Sequence, residues 1–190
     1  MARGKIFEKS FVVAMLFVIA LPVTPARADT AGAHRWHSRN AEVRLLIAEG
    51  ARYSPTLARL LARLDSTPWL VFVDRGKCPA KNAVGCLLHR VGHYQGQPYL
   101  LIVVDNRRLE HPHSEISTIA HELQHALEVA EHATAAEIDS ANISDVFRRI
   151  GKVSGTARRV TVFETDAARQ VGYRVLTELA IAGRRADGKF

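Results

Sequence analysis

His121 and His125 stand four residues apart in the stretch STIAHELQHALEVAEH, with Glu122 directly after the first. On a helix turning about 100° per residue, His125 lies about 40° and Glu122 about 100° from His121. Ile116, Ile119, Leu123, Leu127 and Ala130 fall on the opposite side, so the stretch predicts an amphipathic helix that presents both imidazoles together. This is the arrangement a zinc ion requires: two nitrogen ligands at about 2.0–2.1 Å and a carboxylate addressed to its water. With 9 histidines in 190 residues, the spelling HExxH arises by chance in about 0.02 of such chains. That favours a metal site over two histidines sharing a polar face.

A catalytic zinc takes a third protein ligand. The metzincin scheme, in which the chain turns at a glycine and returns a third histidine, fails here: Glu128 and Glu131 occupy those two positions, and His132 comes one residue late. Glu128 shares the histidine face but lies about 10.5 Å of axial rise beyond His121, which suits it to support a ligand or line a cleft wall. Glu164, in VFETDAARQVGYRVLTEL, is the stronger candidate. In a helix read from about Val162 to Ile181, it shares an inward stripe with Ala167, Ala168, Val171 and Val175, opposite Asp166, Arg169, Tyr173 and Thr177. A carboxylate on an apolar stripe needs a partner, and a metal would be one. The other reading leaves Glu164 wetted in a first turn favoured by the helix dipole. Asp166, facing the other way, is the weaker ligand.

The elements that must position these residues are legible as a sequence of patterns. NAEVRLLIAEGARYSPTLARLLARL, Asn40 to Leu64, carries apolar residues at helical spacing with Ser54-Pro55 restarting a turn, and predicts two short helices. WLVFVD (Trp69 to Asp74), GCLLHRVGHY (Gly85 to Tyr94) and PYLLIVVD (Pro98 to Asp105) predict three strands, the last two a hairpin across Gln95-Gly96-Gln97. A helix follows from about Ser114 to Glu131, then a small one over Ser144 to Ile150, then the long last helix. Helices, a small antiparallel or mixed sheet and further helices make an α+β domain. His34, His37, His111 and His113 read as loop histidines. His89 and His93 share a strand face and read as surface residues or as the edge of a site.

Residues 1–28 read as an export signal: basic Arg3, Lys5 and Lys9, an apolar run from Phe11 to Val23, and Ala26-Arg27-Ala28 before Asp29. The run is shorter than the roughly 20 residues that span a bilayer, so no stable membrane insertion is expected after cleavage. Residues 29–39 then form an N-terminal segment, 40–182 the domain and 183–190 a tail. Removing Arg3, Lys5, Lys9, Arg27 and Glu8 takes +3 from the formal +7. The remaining basic residues are scattered, without the stripe that nucleic-acid binding uses. Cys78 and Cys86, the two cysteines of the chain, predict a disulfide in a periplasmic or secreted setting, since no second cysteine pair supports a thiolate metal site.

HELQH, followed some forty residues later by ETDAA, resembles the gluzincin metallopeptidases, particularly their minimal single-domain forms, over roughly Pro98 to Leu179. The resemblance implies a zincin-like domain with an active-site helix and a C-terminal helix bearing the third ligand. In it His121, His125 and Glu164 bind one zinc, Glu122 is the general base, and a peptide or protein is the substrate. It further implies that PYLLIVVD is the strand along which an extended peptide lies. Ala168 stands where some gluzincins carry an aspartate, and Tyr173 points away from Glu164. From another class, a catalytically silent metal- or protein-binding module of the cell envelope would keep the scaffold without turnover.

Overall fold

The computed structural model describes residues 34–80, 82–140, 142–157 and 160–186; the expected export segment lies outside them. In chain order the elements are β1 (Trp36–His37), α1 (Ala41–Tyr53), α2 (Pro55–Asp65), β2 (Leu70–Arg75), β3 (Gly85–Leu87), β4 (Gly92–Tyr94) and β5 (Gln97–Val104). Then come α3 (Pro112–His132), α4 (Ala135–Asp139), α5 (Ser144–Ile150), β6 (Lys152–Ala157), β7 (Val160–Glu164) and α6 (Asp166–Ala186). This is the expected α+β class, a small mixed sheet packed with helices. No helix among the described residues is long and apolar enough to cross a membrane.

Local chemistry sets the helix starts. The Asn40 side chain accepts the backbone N–H groups of Glu42 and Val43 to begin α1, and Ser54 accepts that of Leu57 ahead of Pro55 to begin α2. Leu57, Leu60, Leu61 and Leu64 then repeat on one face of α2 and are all buried. His111 caps α3 by accepting the His113 N–H, with Pro112 in the first turn.

The sheet runs β1-β2-β5-β3, with β4 also on the β3 side of β5. β1, β2 and β5 are parallel, whereas β3 and β4 run antiparallel to β5. The β4–β5 hairpin turns at Gln95 and Gly96, with φ of 51° and 77°, the paired left-handed conformation of a tight two-residue turn. Leu100, Ile102 and Val104 of β5 point into the core, where they meet Ile116, Ile119, Leu123 and Leu127 of α3. Helix α3 is covered on nearly every side, and its most extensive packing is with α6.

Several expectations are corrected. The stretch Gly85 to Tyr94 is two strands, because the chain leaves β5 after Leu88 and Arg90 bridges to Asn142. β5 is an interior strand, flanked by β2 and by β3 and β4; no edge of it is free for an added peptide. Val160–Glu164 is a strand, so the last helix begins at Asp166, and Glu164 ends β7 instead of riding a helical stripe. Val160, Thr161 and Val162 are β-branched, and pairing with β6 satisfies their backbone. The N-terminal segment joins the sheet through β1, and the expected tail is helical through Ala186.

Candidate metal centre

Three side chains from two distant parts of the chain converge. His121 and His125, one turn apart on α3, have ring centroids 4.9 Å apart and planes at 80°. Glu164, at the end of β7, brings Oε1 to 3.5 Å from Nε2 of each ring. One donor atom from each residue lies within 4.8 Å of the others. A tetrahedral ion with ligands at 2.0–2.1 Å holds its donors about 3.4 Å apart, and both Glu164–imidazole distances match that spacing. The expected trio is therefore brought together, although Glu164 arrives from a strand end.

Behind the trio, Glu128 orients His125. Its carboxylate is 3.1 Å from His125 Nδ1 and accepts the hydroxyl of Thr165 at 2.8 and 3.1 Å. The Thr165 hydroxyl in turn accepts the Ala168 N–H at 3.1 Å, capping α6. A carboxylate on Nδ1 favours a proton on that nitrogen, so that Nε2 is the atom the ring would offer to a metal once its own proton is released, the outer-shell arrangement that steadies metal-binding histidines. Glu128 thus sits behind His125 and does not line the cleft. Thr165 was missed, yet a threonine ahead of Asp166-Ala167-Ala168 is a helix-start signal and would have located it.

Glu122 stands beside the trio and outside it. Its carboxyl is buried and is pushed up to about 7, first by burial, with the nearby Glu164 charge adding to it and the Leu87 backbone N–H and the His125 charge opposing. Gly85 makes this proximity feasible: a Cβ there would meet Thr118 Cγ2 at 2.5 Å and Glu122 Oε1 at 2.9 Å. In the ion-free protein, burial pulls His125 down, but the Glu128 and Glu164 carboxylates override it and raise it to about 9. His121 is lowered by burial and then by the charge of His125. Burial pushes Glu164 up, but the two imidazoles and the Thr165 N–H leave it below its ordinary value.

The trio and Glu122 line a cleft of about 590 Å³ between two strands. One wall is β3 with the loop before it; the other is β7 and α6. Cys78 and Cys86 are bonded, as expected, which ties that loop to β3. Val84 and Leu88 hydrogen-bond back to Asp105 and Leu101 at 2.8 and 2.9 Å, so the alternate residues Gly85 and Leu87 turn their backbone groups toward the cleft. In comparisons with protein-family models, curated proteins and solved structures, nothing matches this chain. Its chemistry is therefore read from these residues.

The other histidines separate. His89 lies in the break after β3, lines the cleft, and packs against the stacked rings of Phe147 and Phe163 at 5.6 and 5.5 Å, with Nδ1 3.3 Å from the Ser144 hydroxyl. Burial and the neighbouring His125 lower its pKa. His93 is exposed on β4 and shares nothing with it. His34 pairs with Asp65 at 2.9 Å, His37 lies in β1, and His111 and His113 contact each other at the α3 start. Among the described residues, no histidine outside the trio joins a three-residue metal-binding group.

Proposed function

We propose that this chain is an exported zinc-dependent peptidase that hydrolyses peptide bonds in the cleft above His121, His125 and Glu164. The observation that carries this reading is the convergence of His121, His125 and Glu164, with the Glu164 carboxylate oxygen 3.5 Å from each imidazole Nε2 and one donor atom of each residue within 4.8 Å of the others, while Glu122 is buried alongside and left out of the donor set. Two nitrogens, one oxygen and no thiolate form a donor set typical of catalytic zinc. Zinc there would supply a water of pKa about 7 and a Lewis acid for a carbonyl oxygen.

The chain's own residues supply the rest. Glu128 keeps the His125 proton on Nδ1, so that Nε2 remains a ligand. The Glu122 carboxylate accepts the proton of the attacking water and returns it to the leaving amine, while the Leu87 N–H fixes its position. An extended peptide adds beside β3, not β5, using the cleft-facing backbone of Gly85 and the Leu87 carbonyl. The disulfide supports an oxidising compartment, periplasmic or secreted.

The test is the zinc content of the full chain purified without added metal, beside His121→Ala and Glu164→Ala. One zinc per chain in the wild type and none in either variant is the expected result. Hydrolysis of a peptide library by the wild type, abolished in a zinc-retaining Glu122→Gln variant, completes it. Zinc binding with no hydrolysis under any condition would favour the silent binding module, and a zinc-free wild type would end both readings.

A further inference from the structure

Away from the trio the cleft changes character. Its ionisable lining consists of His89, His121, Glu122, His125 and Glu164 around the floor, together with Arg169. Arg169 is ion-paired with Asp166 on its own helix. Among the described residues, the cleft therefore offers no uncommitted cation for the terminal carboxylate of a peptide. The walls above are formed by Pro79, Ala80 and Val84 on the disulfide-tied loop and by Tyr173 and Leu176 on α6.

Tyr173 and Leu176 stand on the α6 side of the cleft. Tyr173 is 75% exposed and Leu176 37%, on a helix whose other outward positions include Asp166, Arg169, Gln170, Arg174 and Thr177. Both line the cleft, unlike Ile181, the other exposed large apolar side chain of this helix among the described residues, so they present apolar surface to whatever occupies the cleft. Gly172 ties them to the metal centre: its backbone carbonyl accepts the Ser117 hydroxyl at 3.0 Å, and a Cβ there would lie 3.4 Å from His121 Cβ. Leu176 is one helical turn beyond, about 6 Å along α6. That is close enough for a side chain next to a bond held at the trio to reach it.

We infer that Tyr173 and Leu176, with the loop wall opposite, form a specificity subsite for one large apolar side chain of an extended polypeptide. The substrates are then internal apolar segments of unfolded chains, cut away from their termini. This inference rests on the peptidase reading for the chemistry, but not for the binding. The subsite favours Leu, Phe or Met over Asp, Glu or Lys, because apolar contact with Tyr173 and Leu176 gains from covering their exposed surface and a charged side chain gains nothing from it.

Two measurements on the full chain separate the inference from that reading. In the first, zinc-loaded wild type cleaves a library of N-acetylated, C-amidated peptides, and mass spectrometry locates the cuts. Cuts beside Leu, Phe or Met, at least about tenfold preferred over Asp or Lys, are expected; Leu176→Lys and Tyr173→Ala reduce that preference at unchanged zinc content. In the second, Glu122→Gln, unable to turn over, binds a fluorescent Leu- and Phe-rich capped peptide, and the added Leu176→Lys change weakens binding about tenfold or more. Cleavage indifferent to side chain, a preference for free termini, or unchanged binding in the Leu176→Lys background overturns the subsite. A protein without zinc or hydrolysis that still binds the apolar peptide through Leu176 retains the subsite and loses the peptidase reading.

Discussion

Glu115 and Glu128 are both buried carboxylates on α3, and their partners differ in kind. Glu115 meets the guanidinium of Arg75 in a fork, Nε to Oε1 at 2.9 Å and Nη2 to Oε2 at 3.2 Å, and Arg75 also pairs with Glu42. Glu128 meets only neutral or imidazole groups: Gln124, Thr165 and His125. Around it, Glu122, Glu128 and Glu164 gather against two imidazoles, and among the described residues no lysine or arginine is ion-paired to any of the three. One group is complete in itself, so its work is to hold β2, α1 and α3 together. The other carries negative charge that its own side chains do not cancel, and a divalent cation would complete it.

The widest separation of the two groups comes from removing a nitrogen ligand. His125→Ala is expected to lose stoichiometric zinc, measured by atomic absorption after dialysis, whereas Arg75→Ala retains it. Equal zinc in both variants would erase the distinction. Next in size, Glu122→Gln is expected to keep the metal and lower kcat by about 10²–10⁴-fold in a peptide-cleavage assay.

Arg75→Ala acts on the fold instead. Leaving Glu115 buried without its fork is expected to cost about 2–3 kcal/mol in urea unfolding, below the range for a fully enclosed pair because Arg75 keeps some exposure. Glu128→Gln, tested by competition with a chelator, should weaken zinc binding about 10–100-fold. No change there would remove Glu128 from the site.

The smallest effect is in pH. His125 is raised from 6.5 to about 9 in the ion-free protein, so its protonation stabilises the metal-free fold fully below about 6.5. That contribution is lost as pH rises through about 9. A metal ligand must give up the proton, so zinc uptake at pH 7 is expected to release it, with less released above pH 9. Calorimetry in two buffers of different ionisation heat reads that proton directly.

Much of the fold was legible because its signals are local. The caps at Asn40 and Ser54, the repeat of leucines on α2 and the turn at Gln95-Gly96 each depend on residues within a few positions of one another. The same is true of the Ser144–Ile150 helix, found where its amphipathic pattern predicted. The hairpin of β6 and β7 was lost because VTVFE runs directly into the last helix, and a helical wheel extended back across Thr165 gave Glu164 an inward place by the wrong geometry. The free edge of β3 was equally hidden, since which strand is interior depends on sheet order and not on strand composition.

By itself the sequence determined that His121 and His125 share one helix face, because an i, i+4 relation is set by the backbone's own repeat. It also determined the Cys78–Cys86 pairing, a short loop between the two cysteines the chain possesses. Only the tertiary structure decided that Glu164 reaches both imidazoles from the end of β7, and that Thr165 reaches Glu128 behind His125. It alone opened the cleft along β3. Those relations join residues about forty positions or more apart, and they follow from how α3, α6 and two small sheets pack, which no local periodicity encodes.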